Sequence, residues 1–146
     1  RSGYGASMVN LNKTLIIAGL CSLTTSLLHL IIIIGGTAWY RFFGAGETMV
    51  TLSRQGSIYP AVITLGIALV FFGWALYAFS AAGLLRRLPW LKPVLIIITL
   101  IYLLRGAGLL PMVLISPGQV DEFLIITSII SFLIGSLHLA GIRQME

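Results

Sequence analysis

Three long stretches of this chain carry no formal charge. Only uncharged residues lie between Lys13 and Arg41, between Arg54 and Arg86, and between Glu122 and Arg143, the last gap being twenty residues. Each can cross a hydrocarbon layer of about 30 Å, which takes roughly 20 helical residues. A fourth stretch, Pro93 to Ser116, is as long but holds Arg105 in its middle. Of the 146 residues, 58% are hydrophobic and 9% charged, whereas soluble domains carry about 25% charged residues. A water-soluble fold of this size could not hide so much apolar side chain. The expected fold is an all-α membrane protein of four transmembrane helices in an up-down-up-down bundle. Its predicted helices cover about 14–36, 58–83, 93–115 and 123–142, within a single domain of residues 14–146. Arg1 to Ser7 read as a tag remnant with Met8 as the native start, so that residues 1–13 form a short non-membrane segment.

Charge sets the expected orientation. Lys13, Arg86, Arg87, Lys92 and Arg143 fall on one side, while Arg41, Arg54, Glu47, Asp121 and Glu122 fall on the other. The positive-inside rule places the five-cation side in the cytoplasm, with both termini inside. The net charge of +5 therefore speaks for topology and anionic headgroups, not for nucleic acid. Cys21 is the only cysteine, which excludes an internal disulfide and a cysteine-based metal cluster. Local chemistry fits the boundaries. Pro93 suits a first helical turn, Ser116-Pro117-Gly118 reads as a turn, and Asp121 and Glu122 complement the dipole of the last helix. Trp39, Tyr40 and Trp90 fall where interfacial aromatics belong.

Helix faces carry packing information. The second helix has Ala61, Ala68, Ala75 and Ala82 at seven-residue steps, and Gly66, Gly73 and Ser80 on nearly the opposite side. Two small-residue stripes predict close packing on both sides. Polar stripes of Ser22, Thr25, Ser26 and His29, and of Thr127, Ser131, Gly135 and His138, should point inward, away from lipid.

Arg105 is the sharpest chemical signal. A cation near mid-bilayer costs about 2.5–3.5 kcal/mol on insertion scales, so it should face the bundle and meet an acceptor. Tyr102 lies one turn back on the same face. No span contains Asp or Glu; Glu47 is the nearest candidate partner, and the Ala107 carbonyl freed by Pro111 is another acceptor. A purely structural arginine is the bland alternative. The first outer loop, Trp39 to Glu47 (WYRFFGAGE), is too aromatic for an exposed turn, and Gly44 and Gly46 permit a tight path. From Glu47 to Arg54 a short amphipathic helix should lie on the membrane. His29 joins Tyr40, Arg41, Glu47 and Tyr59 above Tyr102 and Arg105 as an expected polar pocket opening outward. An interfacial anchor alone also accounts for this loop.

His29 and His138 invite a haem reading, but their expected depths differ by roughly 15 Å along the membrane normal. No cofactor and no metal site are therefore expected. No paired carboxylate, metal-ligand spacing or nucleotide loop is present in the sequence.

The run Trp39 to Glu47, with the preceding Gly35-Gly36 and the later Tyr102-Leu103-Leu104-Arg105-Gly106, resembles a family of short, uncharacterised four-helix bacterial inner-membrane proteins. The likeness covers most of the chain after Thr14. It implies four helices and a bacterial inner membrane, and it carries no assigned activity. The functional expectation is a non-enzymatic integral membrane protein. It would bind an amphiphilic or anionic ligand, such as a lipid or quinone, or a partner subunit in a homo-oligomer or larger membrane complex. Two alternatives are a lipid- or quinone-linked enzyme or redox factor using His29 or Glu47 as acid/base, and a small transporter. A proton-coupled exporter is disfavoured, because it would place an acid in a span.

Overall fold

The computed structural model describes residues 10–145; the expected tag remnant lies outside them. The described chain is helical and without strands, and four of its segments are long and apolar enough to cross a membrane. These are α1 (Lys13–Gly35), α4 (Tyr59–Ala82), the pair α5 (Leu91–Ala107) and α6 (Leu109–Ile115), and α7 (Glu122–Arg143). Two short helices, α2 (Thr37–Phe42) and α3 (Glu47–Arg54), connect α1 to α4. The chain is a four-helix all-α membrane protein, and its four spans agree with the predicted helix bounds to within two residues.

Capping explains the sharpest boundaries. Asp121 accepts a hydrogen bond from the Leu124 N–H at 2.7 Å, and Glu122 stands in the first turn of α7. A 3₁₀ turn, Pro117–Gln119, ends the preceding span. The third span is not the continuous helix expected over 93–115. Pro111 offers no N–H to the Ala107 carbonyl and its ring crowds that group. The helix breaks at Gly108, where the bond from the Met112 N–H to the Gly108 carbonyl stretches to 3.4 Å.

The helices form a ring in which α1 packs on α4 and α7, and α5 packs on α7 and α4. The tightest pairs are α1 with α4 and α5 with α7. In lipid such pairs are held by close backbone approach. Between α5 and α7 that approach rests on Gly106 and Gly135. A Cβ on Gly106 would lie 2.6 Å from Phe132 Cβ and 2.8 Å from the Ser128 carbonyl oxygen. One on Gly135 would meet the Leu103 side chain at 2.9 Å and its backbone nitrogen at 3.0 Å. In the α1–α4 pair, Ala68, Ala75, Ala78 and Ala82 are buried on α4, and Ala18, Gly19, Ser22 and Ser26 on α1. The Ser26 hydroxyl donates to the Ala68 carbonyl at 2.7 Å. The second stripe expected on α4 does not pack as a unit. A Cβ on Gly66 or Gly73 would meet nothing within 4 Å. Ser80 is buried for another reason, donating to the Arg86 carbonyl at 2.9 Å and accepting from the Leu88 N–H at 3.0 Å.

One end of the bundle is clamped. Asn12 caps α1 by accepting from the Leu15 N–H at 3.1 Å, while its Nδ2 donates to the Gly141 carbonyl at 2.8 Å. Its backbone N–H donates to the Ala82 carbonyl at 3.0 Å. Asn12 thus ties the start of α1 to the ends of α4 and α7. Leu15 beside it is fully buried against Gly141, and Leu91 and Leu95 close the same end with Ile142. The other end has no such clamp. There α2 and α3 bridge the helices, joined by the Thr37–Ser53 hydroxyl bond of 2.8 Å. Gly44 (φ +69°) and Gly46 (φ +95°) allow the sharp turn between them. On α3, Val50 is buried against Ile32 and Tyr40, so this face packs at least in part on the bundle.

The unequal role of glycines makes a direct test. Gly106→Ala should lower stability by about 1–3 kcal/mol, because backbone atoms must move to admit the methyl group. Gly73→Ala should change it by less than about 0.5 kcal/mol. Thermal unfolding of both variants in one detergent measures the contrast, and equal losses would contradict this packing.

Candidate functional site

The helix pairs are joined at the clamped end and again through Tyr102, and on the side of α2 and α3 they border a cavity of about 610 Å³. That volume lies within the usual range for small-molecule sites. Its back wall is Thr25, Leu28, His29 and Ile32 of α1. Ile63, Thr64, Ile67 and Phe71 of α4 face Ile126, Ile130 and Ile134 of α7 across it. Tyr102 and Arg105 project from α5, and Tyr40, Phe43, Ala45 and Met49 form the roof. The roof is tied to α7 by the edge-to-face pair of Phe43 and Phe123, with centroids 6.1 Å apart.

Among the described residues Arg105 is the only charged one lining the cavity, and it is itself exposed. Its Nη1 donates to the Ser128 hydroxyl at 2.9 Å and its Nη2 to the Thr127 hydroxyl at 3.3 Å. The expected carboxylate partner is not used. Glu47 is exposed in the first turn of α3 and Arg105 has no acidic partner among the described residues. The Ala107 carbonyl is not its acceptor either. A guanidinium offers five N–H donors, so two hydroxyl partners leave most of that capacity unused. A smaller cavity of about 270 Å³, at the α5–α6 break, reaches the arginine from its other side.

Tyr102 forms the floor. Its hydroxyl shares a 2.8 Å bond with Ser22, in which either group can donate, and its carbonyl accepts from the Ser131 hydroxyl at 2.9 Å. Rings continue on both sides of it. His29 stacks on Phe71 at 5.4 Å, Phe71 meets Tyr102 at 6.2 Å, and Tyr102 stacks on His138 at 5.3 Å. Both histidines donate from Nδ1 to the carbonyl four residues back, His29 to Thr25 at 2.7 Å and His138 to Ile134 at 2.9 Å. In a neutral ring this bond fixes the tautomer and leaves Nε2 as a lone-pair acceptor. His29 lines the cavity; His138 is fully buried behind Tyr102, its Nε2 without a partner.

Of the seven residues expected at the site, Arg105, Tyr102, His29 and Tyr40 come together here. Arg41, Glu47 and Tyr59 are exposed and do not line the cavity. Tyr40 is packed inside the protein. It is 4% exposed, packed with Ile32 and Val50, and its hydroxyl is buried without a hydrogen-bond partner. Trp39 and Trp90 are exposed, as interfacial aromatics are. Sequence reading missed Ser128, the arginine's shorter partner. The signal was there: it lies one helical turn before Ser131 on the polar face of α7. Among the described residues no group of three His, Cys, Asp or Glu side chains lies together.

An orphaned buried hydroxyl costs about 1–3 kcal/mol. Tyr40→Phe should therefore raise the melting temperature of the unliganded protein, measured by thermal unfolding in detergent; a clear drop would show that the hydroxyl is satisfied. Compared with known proteins, the chain matches no family model, no curated protein and no solved structure.

Proposed function

We propose that this protein is a non-enzymatic binding protein of the bacterial inner membrane, which holds an amphiphilic ligand with an anionic or carbonyl head at Arg105. The carrying observation is the placement of Arg105. A lone cation with neutral hydroxyl partners borders a cavity whose walls are otherwise mainly aliphatic and aromatic. Apolar walls suit a hydrocarbon portion, and spare N–H donors suit a negatively charged or carbonyl oxygen. In this reading the roof of α2 and α3 faces the periplasm. The five exposed cations Lys13, Arg86, Arg87, Lys92 and Arg143 belong to the clamped end, which the positive-inside rule assigns to the cytoplasm.

Arg105→Leu separates a binding arginine from a structural one. Removing a cation that costs about 2.5–3.5 kcal/mol to insert, from a place where leucine is at ease, should leave stability unchanged or higher. At the same time the lipid-like adducts retained in native mass spectrometry should disappear. Lost expression with no adduct in the wild type would assign the residue to structure. Orientation is checked separately: a reporter fused after Glu146 should be active only if it works in the cytoplasm, and activity confined to a periplasmic reporter would reverse the topology.

A further inference from the structure

The mouth of the cavity lies on the flank of the bundle. Ile63 and Ile67 of α4 and Ile126 and Ile130 of α7 line the cavity, yet are 38%, 40%, 55% and 49% exposed. Ile67 and Ile130 each lie eight residues inside the start of their helix, about 12 Å along it. The opening therefore extends down to hydrocarbon depth, where a neighbouring molecule is lipid, not water. Arg105 lies ten residues from the end of the broken third span, about 15 Å along it. A head that reaches it from the flank must leave the interface and cross apolar surroundings.

Charge inventory narrows the head further. None of the described acidic residues, Glu47, Asp121 and Glu122, lines the cavity. A zwitterionic phospholipid head would bring an ammonium group with no carboxylate to meet it, buried at a penalty. A single small anion has what it needs: the unused N–H donors of Arg105, in the fork geometry that matches a carboxylate. A long-chain carboxylic acid can also cross the apolar mouth in its neutral form, which avoids carrying a charge through hydrocarbon.

Resting on the proposed ligand-binding reading, we infer that the ligand is a long-chain carboxylate drawn sideways from the bilayer between α4 and α7. Its head pairs with Arg105 and its chain runs along the four isoleucines of the mouth. Trp74, edge-on to Phe71 and Tyr102 at 5.2 and 5.1 Å, is a natural reporter beneath the cavity floor. The test uses the full chain in nanodiscs of zwitterionic lipid. Trp39→Phe and Trp90→Phe leave Trp74 as the sole tryptophan, and the probe is a brominated stearate that quenches it.

Quenching should saturate. It should be about tenfold or more weaker for the methyl ester of the same acid and for Arg105→Gln, while butyrate should fail to displace the probe. Arg105→Lys should recover part of the affinity. Filling the mouth with Ile67→Phe and Ile130→Phe should slow saturation, and an unchanged rate would remove the sideways route. Equal binding of acid and ester would overturn the carboxylate assignment in wild-type protein, even if Arg105→Gln failed to fold; displacement by butyrate would overturn the long-chain one. Saturable, Arg105-dependent binding of a brominated anionic phospholipid or a quinone, with none of stearate, would sink this inference and leave the broader reading standing. If no probe bound in that manner, both would fall.

Discussion

Helices in hydrocarbon gain nothing from hiding apolar side chains from one another, since lipid tails are as apolar as leucine. Their association depends on how closely backbones approach and on where buried polar groups find partners. In this protein those two demands are met unevenly along the bundle. Gly106 and Gly135 bring α5 against α7, and the alanines of α4 bring it against α1. Each pair is a tight unit. The units are joined at one end, where Asn12 bonds to α7 and Leu15 seats on Gly141, and again through the bond of Tyr102 on α5 to Ser22 on α1. A bundle closed at one end and bridged by short helices at the other leaves a wedge between its pairs. The cavity is that wedge.

Tyr102 couples the wedge to the closed half. It stands one turn before Arg105 on α5, reaches across the ring to Ser22 of α1 and accepts from Ser131 of α7. Its ring is packed between Phe71 and Trp74 on one side and His138 on the other. Any ligand that moved Arg105 would act on a residue bonded to two other helices. The roof is held more lightly. One hydroxyl pair, one aromatic edge contact and the small cluster of Ile32, Tyr40 and Val50 fasten α2 and α3. Such a segment is the part of this fold that can open at least cost.

Much of the architecture was legible because membranes impose simple rules. Absence of charge over twenty residues or more located three spans, apolar length located the fourth despite Arg105, and Asp121 marked the start of α7 by the cap it supplies. The inward polar stripes were legible too, since Ser22, Ser26, Ser131 and His138 are all buried. What sequence periodicity does not carry is which face meets which neighbour. Two stripes on α4 looked equivalent, yet Gly66 and Gly73 face open space while Gly106, in no stripe, makes the closest backbone contact. The same ignorance of neighbours turned attention to Glu47 as the arginine's partner when the hydroxyls of α7 were nearer in the fold. Trp39 and Tyr40 are adjacent in sequence, yet the turn of α2 exposes one and buries the other. Pro111 announced a missing hydrogen bond; that the break would fall at Gly108 and open a second space beside Arg105 depended on how α6 packs.

Magnitudes decide how Arg105 is best understood. An arginine retained only for structure has to do more for the bundle than a leucine in its place, and a cation at this depth starts from an insertion penalty that leucine does not carry. Its two hydroxyl partners are neutral, and one of the bonds is 3.3 Å long. The Thr127 hydroxyl is in addition placed to donate to the Phe123 carbonyl at 2.9 Å. The helix would keep that bond without the arginine. The N–H groups left over border a space with few polar atoms, where a bound water, which needs two to four hydrogen-bond partners, is poorly supported. A molecule with one strongly accepting end and a hydrocarbon body satisfies both the donors and the walls. No purely aqueous or purely apolar occupant does.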